Sequence, residues 1–359
     1  MQFNRVEVTD FRNLSSTSFN PSPSLNLILG SNGSGKSSLI EAIHYLATGS
    51  SFRTNKFASL IHYDSPCFTL FTEIAEDDLL HKIGLRRCRD LNHTTRLDGV
   101  DLSRRSQLAQ LLPLQIISPE SISLLIEGSE KRRSFIDWSL FHVEHTFHYH
   151  SSNYLRVLKQ RNALLRLNED RAEFSHWNSQ LAQYGEEITA LRRRFVDEIT
   201  LFTYDLLTRL LPDVEINFQY RQGWPSGYSL SSALETSLES DLKLKYTTVG
   251  PHRADLVIRS NNGKASELLS RGQQKLVVVA LRLAQTLHLF NLTGRRPVFL
   301  IDDLAAELDP VHRELFINIL HDVGSQIFIS TPDQSLIETE RWSESKVFHV
   351  EHGQVKEML

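Results

Sequence analysis

Gly30-Ser31-Asn32-Gly33-Ser34-Gly35-Lys36-Ser37 carries the most specific chemistry in this chain of 359 residues. It fits G-x-x-x-x-G-K-[ST], a loop that wraps phosphate groups. Glycines at 30, 33 and 35 let the backbone turn tightly and aim its N–H groups inward. Lys36 is placed to reach β- and γ-phosphates, and Ser37 to ligate Mg²⁺. Such a loop needs a strand before it and a helix after it. Leu25–Leu29, apolar but for Asn26, reads as a buried strand. Leu39, Ile43, Leu46 and Ala47 recur at helical spacing, with Gly49 as a stop, so a helix is expected over 37–47. Its N-terminus adds partial positive charge where phosphates would lie.

A phosphate loop needs a carboxylate for the metal at the end of a neighbouring strand. Asp302 fits, directly after the apolar run Val298–Ile301, and Asp303 beside it could orient an attacking water. Lys36 and Asp302 lie 266 positions apart, so the nucleotide core is interrupted by an inserted region. Between them, Leu269-Ser270-Arg271-Gly272-Gln273-Gln274 opens a helix expected from about Gly272 to Leu289. Ser270 and the N–H of Gly272 there form a second anion site, unless Ser270 is an ordinary N-cap. One phosphate needs one cradle, so the second suggests another molecule's nucleotide.

The elements that position these residues read as follows. Residues 2–9 and Leu114–Ile117 are strands, with antiparallel strands between Phe68 and Leu97. From about Ser121 to Leu211 the pattern is helical. Trp177, Leu181, Tyr184, Ile188, Leu191, Phe195, Ile199, Phe202 and Leu206 advance by threes and fours, an apolar seam on one helix about 45 Å long. Tyr154, Leu155, Leu158 and Leu165 mark an earlier helix, with Asn168-Glu169-Asp170 as a turn. The pair is either an antiparallel hairpin or two core helices of one domain. Strands return at Ala254–Ile258, followed by an Asn261-Asn262-Gly263 turn, and at Gln326–Ser330.

Composition bounds the alternatives. Hydrophobic residues are 40% of the chain, enough for a sizeable core. No run of about 18 uncharged apolar residues occurs, and residues 1–20 lack an apolar signal core. Cys67 and Cys88 are too few for a disulfide framework or a four-ligand zinc site, which fits a reducing, cytosolic home. Net charge is −4, unevenly spread: Val298–Leu359 carries −8, whereas 81–105 carries +4. With Lys131-Arg132-Arg133 and Arg192-Arg193-Arg194, the basic runs are either solvated faces or a surface for a phosphate backbone. Arg86, Arg87 and Arg89 lie in the first patch.

Gly30–Ser37, Leu269–Gln273, Asp302-Asp303 and Glu307-Leu308-Asp309 together resemble the four motifs of ABC-type ATPases. Within that superfamily the chain resembles the RecF family of bacterial recombination mediators. The likeness runs through Asp10-Phe11-Arg12-Asn13-Leu14, Ser51-Phe52-Arg53, Ser118-Pro119-Glu120, Arg132-Arg133, Phe135-Ile136-Asp137, Gly250-Pro251-His252-Arg253 and Ile301–Asp309. Glu127 and Ser129 depart from it, where the family more often has Gly and Pro.

The resemblance implies an α/β fold: an ABC/SMC-type P-loop ATPase head with mixed β-sheets plus an inserted helical lobe. On this reading the head is 1–118 with 235–359, and the lobe is 119–234. It implies ATP and Mg²⁺ as cofactors and an ATP-dependent homodimer on DNA. It implies work with RecR and RecO to load RecA at single-strand gaps, in support of the SOS response. Gly30 to Ser37, Arg12 and Asn13 would contact one nucleotide, with Ser270, Gly272 and Gln273 of a second subunit closing on it. Ser37, Asp302 and Gln115 would serve the metal, and Asp309 the interface. Related ATPases carry Glu at Asp303 and often His at Thr331, so slow hydrolysis is expected. The competing readings are a membrane transporter's ATPase subunit, the head of a long coiled-coil SMC-type protein and a non-hydrolysing DNA-binding scaffold. Arg271, where transporters usually carry Gly, and the long lobe argue against the first.

Overall fold

The computed structural model describes residues 1–76, 79–102, 106–167, 171–261, 263–303 and 308–358. The chain forms two compact units, Met1–Ser121 with Leu289–Leu359, and Ile122–His288.

The first unit opens with β1 (Gln2–Phe11), β2 (Leu14–Phe19), β3 (Leu25–Leu29) and α1 (Lys36–Thr48). It continues through β4 (Cys67–Glu76), β5 (Leu79–Cys88), β6 (His93–Leu97), β7 (Val100–Asp101), α2 (Ser106–Leu111) and β8 (Leu114–Ile117). The second unit holds α3 (Ser123–Ile126), α4 (Ser129–Val143), α5 (Phe147–Leu167), α6 (Arg171–Leu210), β9 (Ile216–Arg221), α7 (Leu230–Leu244), β10 (Asp255–Ser260), β11 (Gly263–Lys264) and α8 (Ala265–Leu268). After α9 (Arg271–Thr293) come β12 (Val298–Ile301), α10 (Pro310–Val323), β13 (Ile327–Thr331), β14 (Ser345–Glu351) and β15 (Gln354–Met358).

Two six-stranded sheets build the first unit. One is antiparallel, in the order β2-β1-β4-β5-β6-β7; the other runs β15-β14-β3-β13-β12-β8. In the second, β3 is flanked by β13 and β14, both parallel to it, and all five of its residues are buried. That explains its unbroken apolar pattern. Asn26 fits there because its amide bonds to Ser22 and to the Ile327 carbonyl. Helix α1 packs against strands of both sheets and buries nine of its thirteen residues. After Phe11 the chain reverses at Arg12-Asn13 and returns as β2. Strands β14 and β15 were not anticipated.

The two cysteines, too few for a disulfide framework, form one cross-strand bridge, so they do not support the reducing home read from their number. Cys67 and Cys88 face each other in the β4–β5 register and their sulfurs are bonded.

In the second unit α6 runs for 40 residues, about 60 Å. Helix α5 packs antiparallel along it: Arg161 meets Asn178 near one end, and Tyr149 meets Tyr184 further along. The pair is a hairpin, although Asn168, Glu169 and Asp170 lie outside the described residues. Arg161 is fully buried and bonds to Asn178, Asp241 and Thr247, so α5, α6 and α7 share one polar anchor. Residues 235–288, grouped with the head in the sequence reading, fall in this unit by compactness, because α7 packs on α6 and β10 on α4. Helix α9 is long and apolar enough to cross a membrane, but 67% of that stretch is buried in the protein.

Candidate functional site

The glycine loop spans from the end of β3 to the start of α1. Gly30, Gly33 and Gly35 take φ of 153°, 81° and 119°, a region costly for side-chain-bearing residues. A Cβ at 30 would stand 2.4 Å from the Val350 carbonyl, and one at 35 would stand 3.0 Å from Leu14. Ser31, Asn32 and Gly33 form the exposed crest, closed by a Ser34 N–H to Ser31 carbonyl bond of 3.2 Å. The Ser34 hydroxyl is buried and has no hydrogen-bond partner among the described residues. Lys36 Nζ donates to the carbonyls of Gly30 (2.7 Å) and Ser31 (3.0 Å).

Strand order brings the carboxylates to this loop. β12 and β3 both border β13, and all three run parallel, so Asp302 emerges at the same sheet edge as the glycine loop. Ser37 Oγ donates to Asp302 Oδ1 at 2.9 Å, and Ser330 Oγ donates to the same oxygen at 2.7 Å. Burial raises the Asp302 pKa against those two hydrogen bonds and the Arg53 charge, and Glu120 adds to the rise. Burial lowers that of Lys36, opposed by Asp303 and then Asp302. Asp303 takes a φ of 57° and donates its N–H to Ser330 Oγ at 2.9 Å. Lys36, Ser37, Asp302 and Asp303 are therefore brought together.

Two predicted contacts sit just beneath the loop. Asn13 Nδ2 donates to the Gly33 carbonyl at 3.3 Å, and its Oδ1 accepts from Ser38. Arg12 grips the fully buried Glu41 of α1 with two nitrogens, at 2.9 and 2.8 Å, and donates to the Ser59 carbonyl. Ser51 also bonds Glu41, and Arg53 lies 3.8 Å away. Asn13 thus braces the loop, and Arg12 the helix that follows it, from within the chain. Glu41 and Ser330 were missed by the sequence reading. An acid amid Leu39, Ile40, Ala42 and Ile43 was the available signal for Glu41.

Other candidates lie elsewhere. Gln115 is 2% exposed and pairs with Phe299, three residues short of Asp302 along the sheet, so the structure does not bring it to the metal position. The residue hydrogen-bonded to the Asp302 N–H is Ile117. Thr331 donates to the Asp333 carbonyl, holding the turn after β13. Asp309 caps α10 by accepting from Val311 and His312 N–H groups. Burial pushes its pKa up, but hydrogen bonds from His312 and Val311 outweigh it and hold the carboxyl below the usual range. Glu307 lies outside the described residues. Ser270 caps α9: its hydroxyl accepts from the Gln273 N–H at 3.3 Å and its own N–H donates to Gln273 Oε1 at 2.9 Å, a reciprocal capping box. Gly272 is exposed, and a Cβ there would meet nothing within 4 Å.

The basic runs divide sharply. Arg87 is buried, bonded to the Arg86 and Thr94 carbonyls and to Thr95. Arg89 holds the Ser65 and His62 carbonyls. Arg132 clasps Asp255, and Arg133 holds Ser129 and the Ala254 carbonyl. Arg192 clasps Asp137, and Arg194 pairs with Glu144. Most of these cations serve the fold. Arg104 and Arg105 lie outside the described residues.

A phosphate-type loop joining a central parallel strand to a helix, answered by a carboxylate from a strand added some 270 residues later, defines a split P-loop head of the ABC/SMC type. Residues 2–356 match the RecF/RecN/SMC N-terminal domain model. The chain belongs to this family, on its RecF branch. DNA replication and repair protein RecF of Shewanella denitrificans is 39% identical over 356 residues, covering 99% of both chains. That of Pseudoalteromonas atlantica is 40% identical over 361 residues, again covering 99% of each. A solved structure of the recombination mediator protein RecF with ATP, of the RecFOR pathway, has a TM-score of 0.89 at 26% identity, covering 100% of this chain and 98% of that one. An SMC head bound to a ScpA domain shares the fold at a TM-score of 0.64 and 15% identity, covering 100% of this chain and 97% of that one.

Proposed function

We propose that this chain is an ATP-dependent DNA-binding protein of recombinational repair and replication restart, with weak, DNA-dependent ATPase activity. The observation that carries the reading is the Ser37–Asp302 pair at 2.9 Å, which joins the glycine loop to the β12 carboxylate. Those two oxygens would hold Mg²⁺, which takes one or two protein oxygens and fills its octahedron from phosphates and water. Among the described residues the Ser34 hydroxyl has no partner and the Lys36 ammonium bonds to loop carbonyls, which fits a triphosphate that supplies acceptors to both. Asp303 would orient the attacking water. With Asp in place of a longer Glu, and Thr331 engaged in its own turn, turnover is slow, suited to a timed clamp.

Ser270 and Gly272 of a second copy complete each nucleotide site in this proposal. Among the described residues nothing lies within 4 Å of a Cβ at Gly272, which leaves room for a nucleotide to approach the backbone there from a second copy. ATP binding then favours association by mass action, and the dimer clamps DNA. RecR, RecO and, through them, RecA are the partners, in the cytoplasm and in support of the SOS response. The test is solution mass with ATP, ADP or no nucleotide, with and without DNA. An ATP-only dimer that Ser270→Arg abolishes supports the composite site; dimerisation unchanged in that variant overturns it. A turnover number in the hundreds per second overturns the clamp.

A further inference from the structure

Helix α5 is unusual among the elements for what it lacks. Between Phe147 and Leu167 it carries Arg156, Lys159, Arg161 and Arg166 and no Asp or Glu. Phe147, Tyr154, Val157, Arg161 and Leu165 are buried on one face, against the rest of the second unit. Arg161 spends its charge there, on Asp241. The opposite face presents Arg156, Lys159 and Arg166, all exposed, at spacings of three and seven that put them on one stripe. Tyr149 and Leu155, 59% and 58% exposed, flank it. Among the described residues none of the three cations forms an ion pair, and the one side-chain bond is from Arg156 to Asn153. This is the reverse of Arg87, Arg132, Arg133 and Arg192, whose guanidinium groups are held inside the chain.

We infer that the outer face of α5 is a nucleic-acid backbone surface. The inference rests on the DNA-binding reading above and gives it a location. Three cations over ten residues cover about 15 Å of helix, a length along which duplex DNA presents roughly nine phosphate charges. No carboxylate on α5 opposes the polyanion, and the flexible Lys and Arg stems need no base-specific partner. Binding through this face is salt-dependent and blind to sequence.

The test is fluorescence anisotropy of a labelled duplex with the full chain, ATP and Mg²⁺, as salt rises from about 50 to 200 mM. Removal of three contacts in Arg156→Gln/Lys159→Gln/Arg166→Gln should flatten the log K against log salt slope by about 2.7, at roughly 0.9 per phosphate. Over that fourfold range this corresponds to about a 40-fold smaller loss of affinity than in the parent chain. The charge-keeping variant Arg156→Lys/Arg166→Lys should retain the parent slope, which a merely structural role of the side chains would not require. A parent chain that binds DNA with a slope the triple variant does not alter overturns the α5 surface and leaves the DNA reading intact. A parent chain that binds neither duplex nor single strand overturns both.

Discussion

Replacing Glu41 tests whether the loop is braced from below. Glu41 is fully buried in α1 and accepts two bonds from Arg12 and one from Ser51. Removing one partner of a buried ion pair costs about 3–5 kcal/mol, because the other charge is left uncompensated. Arg12 keeps 23% of its side-chain surface exposed, so water recovers part of that loss and the lower end, about 3 kcal/mol, applies to Glu41→Ala. For a unit of this size each kcal/mol moves the melting temperature by about 2–4 °C, so a fall of about 6–12 °C is expected. Glu41→Gln keeps the shape and the Ser51 bond and should cost about half as much. The assay is a double-mutant cycle of Arg12→Gln and Glu41→Gln by urea unfolding, with ATP affinity measured on the same four proteins. Coupling of about 1–3 kcal/mol is expected, with ATP binding weakened in every variant because Asn13, next to Arg12, holds the loop at Gly33. Coupling near zero would refute the brace.

The remaining predictions are narrower. Burial lowers the pKa of His44 and of His252 to about 4 from 6.5. Above pH 6.5 both rings are neutral, folded or unfolded; as pH falls toward 4 only the unfolded chain takes up the protons. Stability should therefore drop by about 2 kcal/mol per ring between pH 6.5 and 5, before most carboxylates titrate, and flat urea midpoints across that window would contradict the burial of these rings. Asp302→Asn keeps the Ser37 and Ser330 hydrogen bonds within reach but removes the charge proposed to hold Mg²⁺, so Mg²⁺-dependent hydrolysis should fall at least about 100-fold with a small change in melting temperature; normal turnover would remove Asp302 from the site. The Cys67–Cys88 bridge predicts no reactive thiol in the unfolded, unreduced chain and two after reduction, and two thiols without reduction would exclude it.

What the sequence disclosed, and what it hid, follows from where the information sits. The glycine loop is legible because three backbone positions need positive φ and two of them, Gly30 and Gly35, also leave no room for a Cβ, so residue type reports geometry directly. The α6 seam is legible because one helix of 40 residues repeats its apolar period from Trp177 to Leu206. Asp302 is legible because a buried strand ending in a carboxylate is costly without a purpose. Glu41 was hidden because its partners, Arg12, Ser51 and Arg53, belong to separate loops that only the fold gathers. The same limit applies to Gln115, given to the metal by resemblance, because the β8–β12 register sets it level with Phe299.

Charge shows the limit most clearly, because a cation's meaning depends on its neighbours and a sequence lists only those along the chain. Lys131-Arg132-Arg133 looks like a phosphate-binding run, yet Arg132 reaches Asp255, which lies 123 positions away, and Arg133 reaches the adjacent carbonyl of Ala254. Such pairs remove a charge from the surface as completely as burial does, and breaking them would unfold the contact between α4 and β10 before it changed any affinity. Helix α5 is less conspicuous in sequence, since its cations are spread over three turns and no cluster forms. Its three outer cations are exposed, α5 itself carries no acid, and the one inner cation, Arg161, is matched by Asp241. A net charge of −4 therefore coexists with a cationic stripe, since the compensating acids are drawn into internal pairs or gathered beyond Val298. Charge reversal at Arg87 or Arg132 should thus lower stability at any salt concentration, whereas reversal at Lys159 should lower DNA affinity at low salt alone; the opposite pattern would mean that the pinned arginines release their partners to meet the polyanion.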